Sequence, residues 1–336
     1  MMKKLMNAAK DFVPECLEGI ELAYGDRVKV IGEDRRILVR SNQESTGKVA
    51  IVTAGGSGHL PVFLGYVGEG MLDGCAVGNV FASPSSENML HMIKAVNQGS
   101  GVLCLYGNYG GDKMNFHMAQ ELAEFEDIPT AEVLVCDDVA SRAKEEKEMR
   151  RGVAGMVYAF KIAGAAADSG KNLSEVAAAT QRALDNIRTM GIALSPCIVP
   201  EVGKETFSIA DDEMELGMGI HGEPGIQVCK LMSADEIAGI IMDRLEDDLP
   251  LLAGDEVSVM VNGLGATPLE ELLIFYRAVC KRLQGKDVRV FMPHIGEFAT
   301  SMEMAGCSVT VFKLDGELKE FLRAPASTPF YTNHNK

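Results

Sequence analysis

Two histidines in this chain are framed by glycine. His221 stands in Gly217-Met218-Gly219-Ile220-His221-Gly222-Glu223-Pro224-Gly225, and His59 in Gly55-Gly56-Ser57-Gly58-His59-Leu60-Pro61. So much backbone irregularity does not belong inside a helix or strand, so each stretch reads as a loop. Such a loop holds a side chain in place and leaves room for something to approach it. Taken singly, each is also compatible with a turn whose histidine only hydrogen-bonds its neighbours. Two of them in one chain point to one site assembled from two places. A third glycine loop, Gly107-Asn108-Tyr109-Gly110-Gly111-Asp112, adds a carboxylate. Glu223 is placed either to orient His221 or to cap the turn.

The elements that must carry these loops alternate. Apolar spacing predicts a helix over residues 5–24 and short strands at 28–31 and 37–39, with a loop from Ser41 to Gly47. A buried-type strand over 48–53 runs into the Gly55–Pro61 loop, where open α/β sheets place their ligands. Helix 87–97, strand 101–106 and helix 115–124 repeat the pattern around Asp112. Strand 131–136 ends in Asp137-Asp138, a pair that reads as solvated or helix-capping. Lys144–Arg151 is a charge run with the look of a solvated surface. Small apolar residues from 152 to 167 imply tight helix packing, and an amphipathic helix is predicted over 173–190. Gly164–Asn172 resembles a phosphate-binding loop, but its spacing is wrong and no strand precedes it, so Gly170 reads as a helix cap. The second half continues with a helix at 234–245, a strand at 256–262, a helix at 270–283 and strands near 288–292 and 307–314. The expected fold class is α/β in two domains, 1–188 and 189–336, each a mainly parallel or mixed sheet flanked by helices.

Composition narrows the function. The 336 residues are 47% hydrophobic and 24% charged, an ordinary globular balance, with a formal charge of −16. That charge argues against nucleic acid or an anionic membrane as partner. Asp11 and Glu15 interrupt any apolar run after Met1-Met2-Lys3-Lys4, so no signal peptide is expected. No apolar run is long enough to span a bilayer. The eight cysteines are scattered, with no C-x-x-C and no zinc-ligand spacing, which fits reduced thiols in a cytoplasmic protein and no metal. His91, His117, His294 and His334 lack a glycine frame and read as surface, core or tail residues. The 19 methionines read as core filler.

Six segments together resemble the dihydroxyacetone-binding K subunit of dihydroxyacetone kinases, over essentially the whole chain. They are Gly55–His59, Phe81-Ala82-Ser83-Pro84, Asn108-Tyr109 with Gly111-Asp112, Arg150–Gly155, Gly219–Gly225 and Asn262–Leu269. The resemblance implies that His221 forms a covalent hemiaminal with the ketone carbon of a short ketose. It implies that His59 and Asp112 position and activate the hydroxyl to be phosphorylated. Substrate would also contact Gly56, Ser57, Gly58 and the position of Gly107. An imidazole that adds to a carbonyl selects ketones and aldehydes over polyols, and phosphoryl transfer then needs a base for the hydroxyl. The implied protein is a cytoplasmic kinase subunit of glycerol metabolism, homodimeric, with no cofactor of its own. Its nucleotide, ADP or ATP with Mg, would sit on a separate L subunit, with a phosphotransferase-system protein as a possible further partner.

Two positions depart from the family pattern. Leu60 replaces a usual glutamate, and Gly107 stands where a substrate-contacting lysine is usual. Loss of that lysine implies open volume, hence a larger ketose such as erythrulose. It also keeps a rival in view, a ketose-sensing paralogue acting as transcriptional coactivator or corepressor. A metal-dependent hydrolase is the third alternative, disfavoured because no histidine pair has ligand spacing.

Overall fold

A computed structural model describes residues 3–42 and 47–334, so four residues of the expected Ser41–Gly47 loop, 43–46, lie outside the described residues. The chain divides into two compact units. The first comprises Met1–Val135, Met156–Ala183 and Leu318–Lys336, and the second Cys136–Gly155 and Leu184–Glu317.

The first unit opens with α1, Phe12–Tyr24, which buries Val13, Leu17 and Ile20 at helical spacing. Strands β1 (Val28–Ile31) and β2 (Ile37–Arg40) form an antiparallel pair. Then follow β3 (Ala50–Ser57), β4 (Gly74–Val80), α2 (Ser86–Val96), β5 (Val102–Gly107), α3 (Gly110–Glu124) and β6 (Thr130–Val135). The sheet order is β1-β2-β4-β3-β5-β6. Strands β4, β3, β5 and β6 run parallel, and β3 and β5 are buried along their whole lengths. A parallel strand covered on both faces needs the near-continuous apolar run that Ala50–Ala54 and Val102–Tyr106 supply. Helices α4 (Met156–Asp168) and α5 (Leu173–Asp185) complete this pass. Every residue of α4 from Met156 to Ala167 is buried. Its Gly164 lies against the backbone of Gly70, where a Cβ would come 2.5 Å from the carbonyl oxygen.

The second unit is built on β7 (Ile187–Ser195), β8 (Glu213–Leu216), β9 (Gln227–Lys230), α6 (Ala234–Asp248), β10 (Glu256–Gly263), α7 (Leu269–Gly285), β11 (Arg289–Val290), β12 (His294–Gly296) and β13 (Ala305–Lys313). The mixed sheet runs β11-β10-β13-β7-β8-β9, with β12 also paired to β10. Its core joins Ile237, Ile241 and Leu245 of α6 with Leu272, Phe275 and Val279 of α7 beneath β10 and β13. The chain then returns to the first unit as α8, Gly316–Arg323, whose Leu318, Phe321 and Leu322 are buried. Among the described residues, no helix is long and apolar enough to cross a membrane.

The α/β class with two helix-flanked mixed sheets is as expected, but the division of the chain is not a single cut. A boundary at 188/189 would split β7, which pairs with β13 from Ile187 onward. The same pairing ends α5 at Asp185 rather than at Met190. The charge run also divides: Lys144–Met149 is an exposed 3-10 turn, whereas Arg150 is 1% exposed. Its guanidinium grips Asp248 at 3.0 and 2.6 Å, and Arg188 adds a second cation to the same carboxylate. Asp137 and Asp138 are neither solvated nor capping a helix. Asp137 accepts the backbone N–H groups of Val153 and Gly155 at 2.8 Å, and Asp138 pairs with Arg151.

Candidate functional site

In the first unit β3 and β5 are parallel neighbours, with Ala50 opposite Val102. Residues that follow their C-terminal ends therefore emerge on the same edge of the sheet, the edge at which open α/β sheets bind ligands. His59 follows β3 and Asp112 follows β5. The expected loop at Gly55–Pro61 begins later than its glycines, because Gly55, Gly56 and Ser57 still belong to β3. A Cβ on Gly56 would lie 2.7 Å from the amide nitrogen of Ala82, so this glycine admits the chain that leaves β4. The Ser57 hydroxyl donates to the Gly78 carbonyl at 2.9 Å. Gly58 takes a φ of +97°, and His59 follows, 1% exposed. The His59 ring stacks on Phe81 with centroids 4.7 Å apart and meets Phe63 edge-on at 6.0 Å. Phe63 and Phe81 hold φ of 69° and 58°, costly backbone for bulky residues. Strain of that kind concentrates at sites where a side chain must be held still, and here both strained residues flank one imidazole.

Asp112 lies in the first turn of α3 and is 6% exposed. The helix begins at Gly110, earlier than its apolar spacing implied. Gly111 permits this, since a Cβ there would meet Ser83 Oγ at 2.6 Å. A carboxylate in the first turn is favoured by the helix dipole. Gly107 ends β5 and is buried. A Cβ on it would come 3.0 Å from the Tyr109 ring and 3.4 Å from Met156 Sδ. The absent lysine therefore leaves no open volume beside the Gly107 Cα, where Tyr109 and Met156 fill the space.

In the second unit the residues between β8 and β9 form a long hairpin loop. It is closed by Ile226 N–H to Leu216 O at 2.7 Å and folded on itself by Gly219 N–H to Glu223 O at 3.0 Å. Glu223 serves His221 twice: Oε2 accepts the His221 backbone N–H and Oε1 meets Nδ1, both at 2.9 Å. Burial alone would raise the Glu223 carboxyl. The hydrogen bond and charge of His221, with backbone N–H donors, outweigh it and bring the pKa down to about 2. Glu223 is thus an anion at neutral pH and can only accept. The proton of the shared bond sits on Nδ1, which makes Nε2 the unprotonated nitrogen of the neutral ring. The His221 side chain is 22% exposed, enough for a small molecule to reach it. Gly219 makes the arrangement possible, because a Cβ there would collide with Glu223 Oε2 and lie 2.6 Å from an Arg151 nitrogen.

Residues 18–330 match the Dak1 domain. This chain belongs to the Dak1 family. It is 44% identical to the dihydroxyacetone-binding subunit DhaK of PTS-dependent dihydroxyacetone kinase 1 from Listeria innocua, over 97% of this chain and 99% of that one. It is 40% identical to an L-erythrulose kinase of Pectobacterium atrosepticum, covering 98% of this chain and 56% of that protein. Among solved structures, the dihydroxyacetone kinase operon co-activator Dha-DhaQ superposes with a TM-score of 0.90 at 33% identity, over 96% of this chain and 98% of that one. This Dak1 chain therefore has kinase subunits, a tetrulose kinase and a gene co-activator among its relatives.

Within this Dak1 chain the candidate residues fall into two sets. Gly56, Ser57, Gly58, His59, Gly107 and Asp112 belong to the first unit, and His221 to the second. Among the described residues no group of three or more His, Cys, Asp or Glu is arranged for a metal ion. His294, at β12, is half-buried and pushed down to about 4 by desolvation, so it is neutral rather than a proton carrier at pH 7. The aromatic clamp on His59 and the Asp138–Arg151 pair are not legible in the sequence. Phe63 and Phe81 carry no sequence signal for positive φ, and a buried ion pair from residues 13 apart has no periodicity to betray it.

Proposed function

We propose that this chain is the ketose-binding subunit of a dihydroxyacetone kinase, in which His221 holds the substrate covalently. The observation that carries this reading is the His221–Glu223 pair, with Nδ1 protonated and Nε2 left as the nucleophile. Nε2 donates its lone pair to the ketone carbon, and the carbonyl π electrons move to oxygen. That oxygen takes up one proton while Nδ1 releases one, so the product is a neutral hemiaminal with no leaving group. Glu223 steadies the positive ring as it forms. A small polar ketose offers little apolar area to bury, and a covalent tether holds it without a deep pocket.

His59 and Asp112 serve the hydroxyl that receives the phosphoryl group, one as base and the other as its orienting partner. Gly56, Ser57, Gly58 and Gly107 contribute the backbone around the substrate. The nucleotide, ADP or ATP with Mg, is carried by a partner L subunit, and a phosphotransferase-system protein is the phosphoryl source in the first case. The subunit acts in the cytoplasm as a homodimer.

The test is reconstitution. The purified chain alone should not consume ATP with any ketose, and phosphorylation of dihydroxyacetone should appear when an L-type subunit is added. ATP turnover by the isolated chain would overturn the assignment. The likeness to a co-activator supports a second reading, a sensor that forms the adduct but never passes it on. Adduct formation without turnover beside a competent L subunit would select that reading.

A further inference from the structure

Arg151 is not among the residues proposed to touch substrate, yet it bridges the His221 loop to Asp138. Its Nε and one terminal nitrogen grip Asp138 Oδ2 at 2.9 and 2.8 Å. The same terminal nitrogen donates to the Gly217 carbonyl at 2.9 Å. Gly217, at φ +78°, is the residue where β8 turns into the loop. The other terminal nitrogen lies over Gly219, on the face that Glu223 Oε2 also covers.

Asp138 is itself fixed. Its Oδ1 accepts from the Ala140 N–H at 3.0 Å, and its backbone N–H donates to the Arg151 carbonyl at 3.2 Å. Ser141 closes the cycle: its hydroxyl donates to the Asp138 carbonyl at 2.8 Å and accepts from the Arg151 N–H at 3.1 Å. The guanidinium is thus held at both ends, its side chain 14% exposed and that of Asp138 3%. Backbone ties also hold the two ends of the loop, Gly217 N–H to the Gly191 carbonyl of β7 at 2.7 Å and Gly225 N–H to Glu215 Oε1 at 2.6 Å, and Arg151 adds the side-chain anchor between Gly217 and Gly219.

We propose that Arg151 is a positioning residue that anchors the His221 loop and so sets the approach of Nε2 to the ketone. The inference rests on His221 as the nucleophile. Misplacement of a reacting atom by about 1 Å can cost on the order of 100-fold in rate, so a loosened anchor is kinetically visible without loss of the fold. Lysine cannot substitute, because an ammonium keeps the charge opposite Asp138 but lacks the planar fork that also reaches the Gly217 carbonyl.

The full chain would be mixed with dihydroxyacetone labelled with carbon-13 at the ketone, and the conversion of that carbon to a protein-bound tetrahedral centre followed by NMR. Arg151→Lys should retain the parent's melting temperature but form the adduct about tenfold more slowly. Arg151→Ala should be slower still and should recover part of the rate in methylguanidinium. Asp138→Asn, which loses the anchor from the other side, should slow addition similarly. If Arg151→Lys forms the adduct at the parent rate, the positioning role is overturned while the nucleophile assignment stands. The same holds if rate and melting temperature fall together in every variant and methylguanidinium restores neither, since Arg151 would then be structural only. If the parent forms no adduct, or His221→Ala forms it equally well, the nucleophile assignment fails and this inference fails with it.

Discussion

At the scale of single residues, Glu223 decides which nitrogen of His221 can react. A carboxylate held near 2 accepts the Nδ1 proton bond at every working pH, so the reactive tautomer is fixed before substrate arrives. Glu223→Gln keeps the size and removes the charge, and a primary amide can face Nδ1 with either its oxygen or its NH2. The expected result is adduct formation slowed by roughly 100-fold or more, with about 10⁴-fold as the loss seen when an imidazole's orienting carboxylate becomes an amide. Stopped-flow or NMR rates would check it. His59→Asn and Asp112→Asn act on the other step. Each should lower turnover with the L subunit by roughly 100-fold while leaving the adduct intact. Normal turnover in either variant would remove that residue from the chemistry. The glycine frames around His59 and His221 were readable because glycine beside histidine is a local signal. That Glu223 orients rather than caps needed the two 2.9 Å contacts.

At the scale of elements, the strand-then-glycine pattern was legible, and the close packing that its glycines allow was not. Gly55, Gly56 and Gly111 admit Phe63, Ala82 and Ser83 respectively, so they serve packing before they serve a ligand. Gly107 extends the lesson. The missing lysine suggested a wider pocket, but what lies beside the Cα is Tyr109 and Met156. Gly107→Lys should therefore cost about 1–3 kcal/mol through crowding against the Tyr109 ring. If that ring yields, the lysine should shift preference toward dihydroxyacetone over erythrulose. Paired titrations of the triose and the tetrulose on both proteins measure this, and unchanged preference together with unchanged stability would clear position 107 of any role. Element ends were less legible for a plain reason. Where α5 stops is set by the pairing of β7 with β13, more than a hundred residues later, and no local pattern encodes it.

At the scale of the whole molecule, a buried lysine is one of the ties that fix the chain's return to its first unit. Lys161, 1% exposed on α4, donates to the carbonyl of Phe321 in α8 at 2.7 Å. The tail then joins Ser327 to Glu69 and hydrogen-bonds the Thr328 hydroxyl to the Gly65 carbonyl. Burial depresses Lys161 to about 8. Between about 8 and its ordinary value the unfolded chain holds a proton that the folded chain has released, so this residue adds stability as pH rises through that window. Measured against Lys161→Met, the parent should gain on the order of 3 kcal/mol from pH 7.5 to 10.5. A pH-independent difference between the two denaturation curves would show that Lys161 titrates alike in the folded and the unfolded chain, so that burial does not depress it. Sequence could not place this residue, since a lone lysine in a helix of small apolar residues is indistinguishable from one that reaches solvent. The two-sheet architecture was legible from alternating elements, and the interleaved division of the chain was not.

The claim on which the rest depends is the bond from His221 to the ketose. Crystals of the full chain soaked with dihydroxyacetone, beside a parallel set of His221→Ala, test it most directly. A covalent hemiaminal requires density continuous from Nε2 to a tetrahedral C2 at single-bond length in the parent, and no bound ketose in the variant. A planar ketone at van der Waals distance from the ring, or equal occupancy in the His221→Ala crystals, would contradict it.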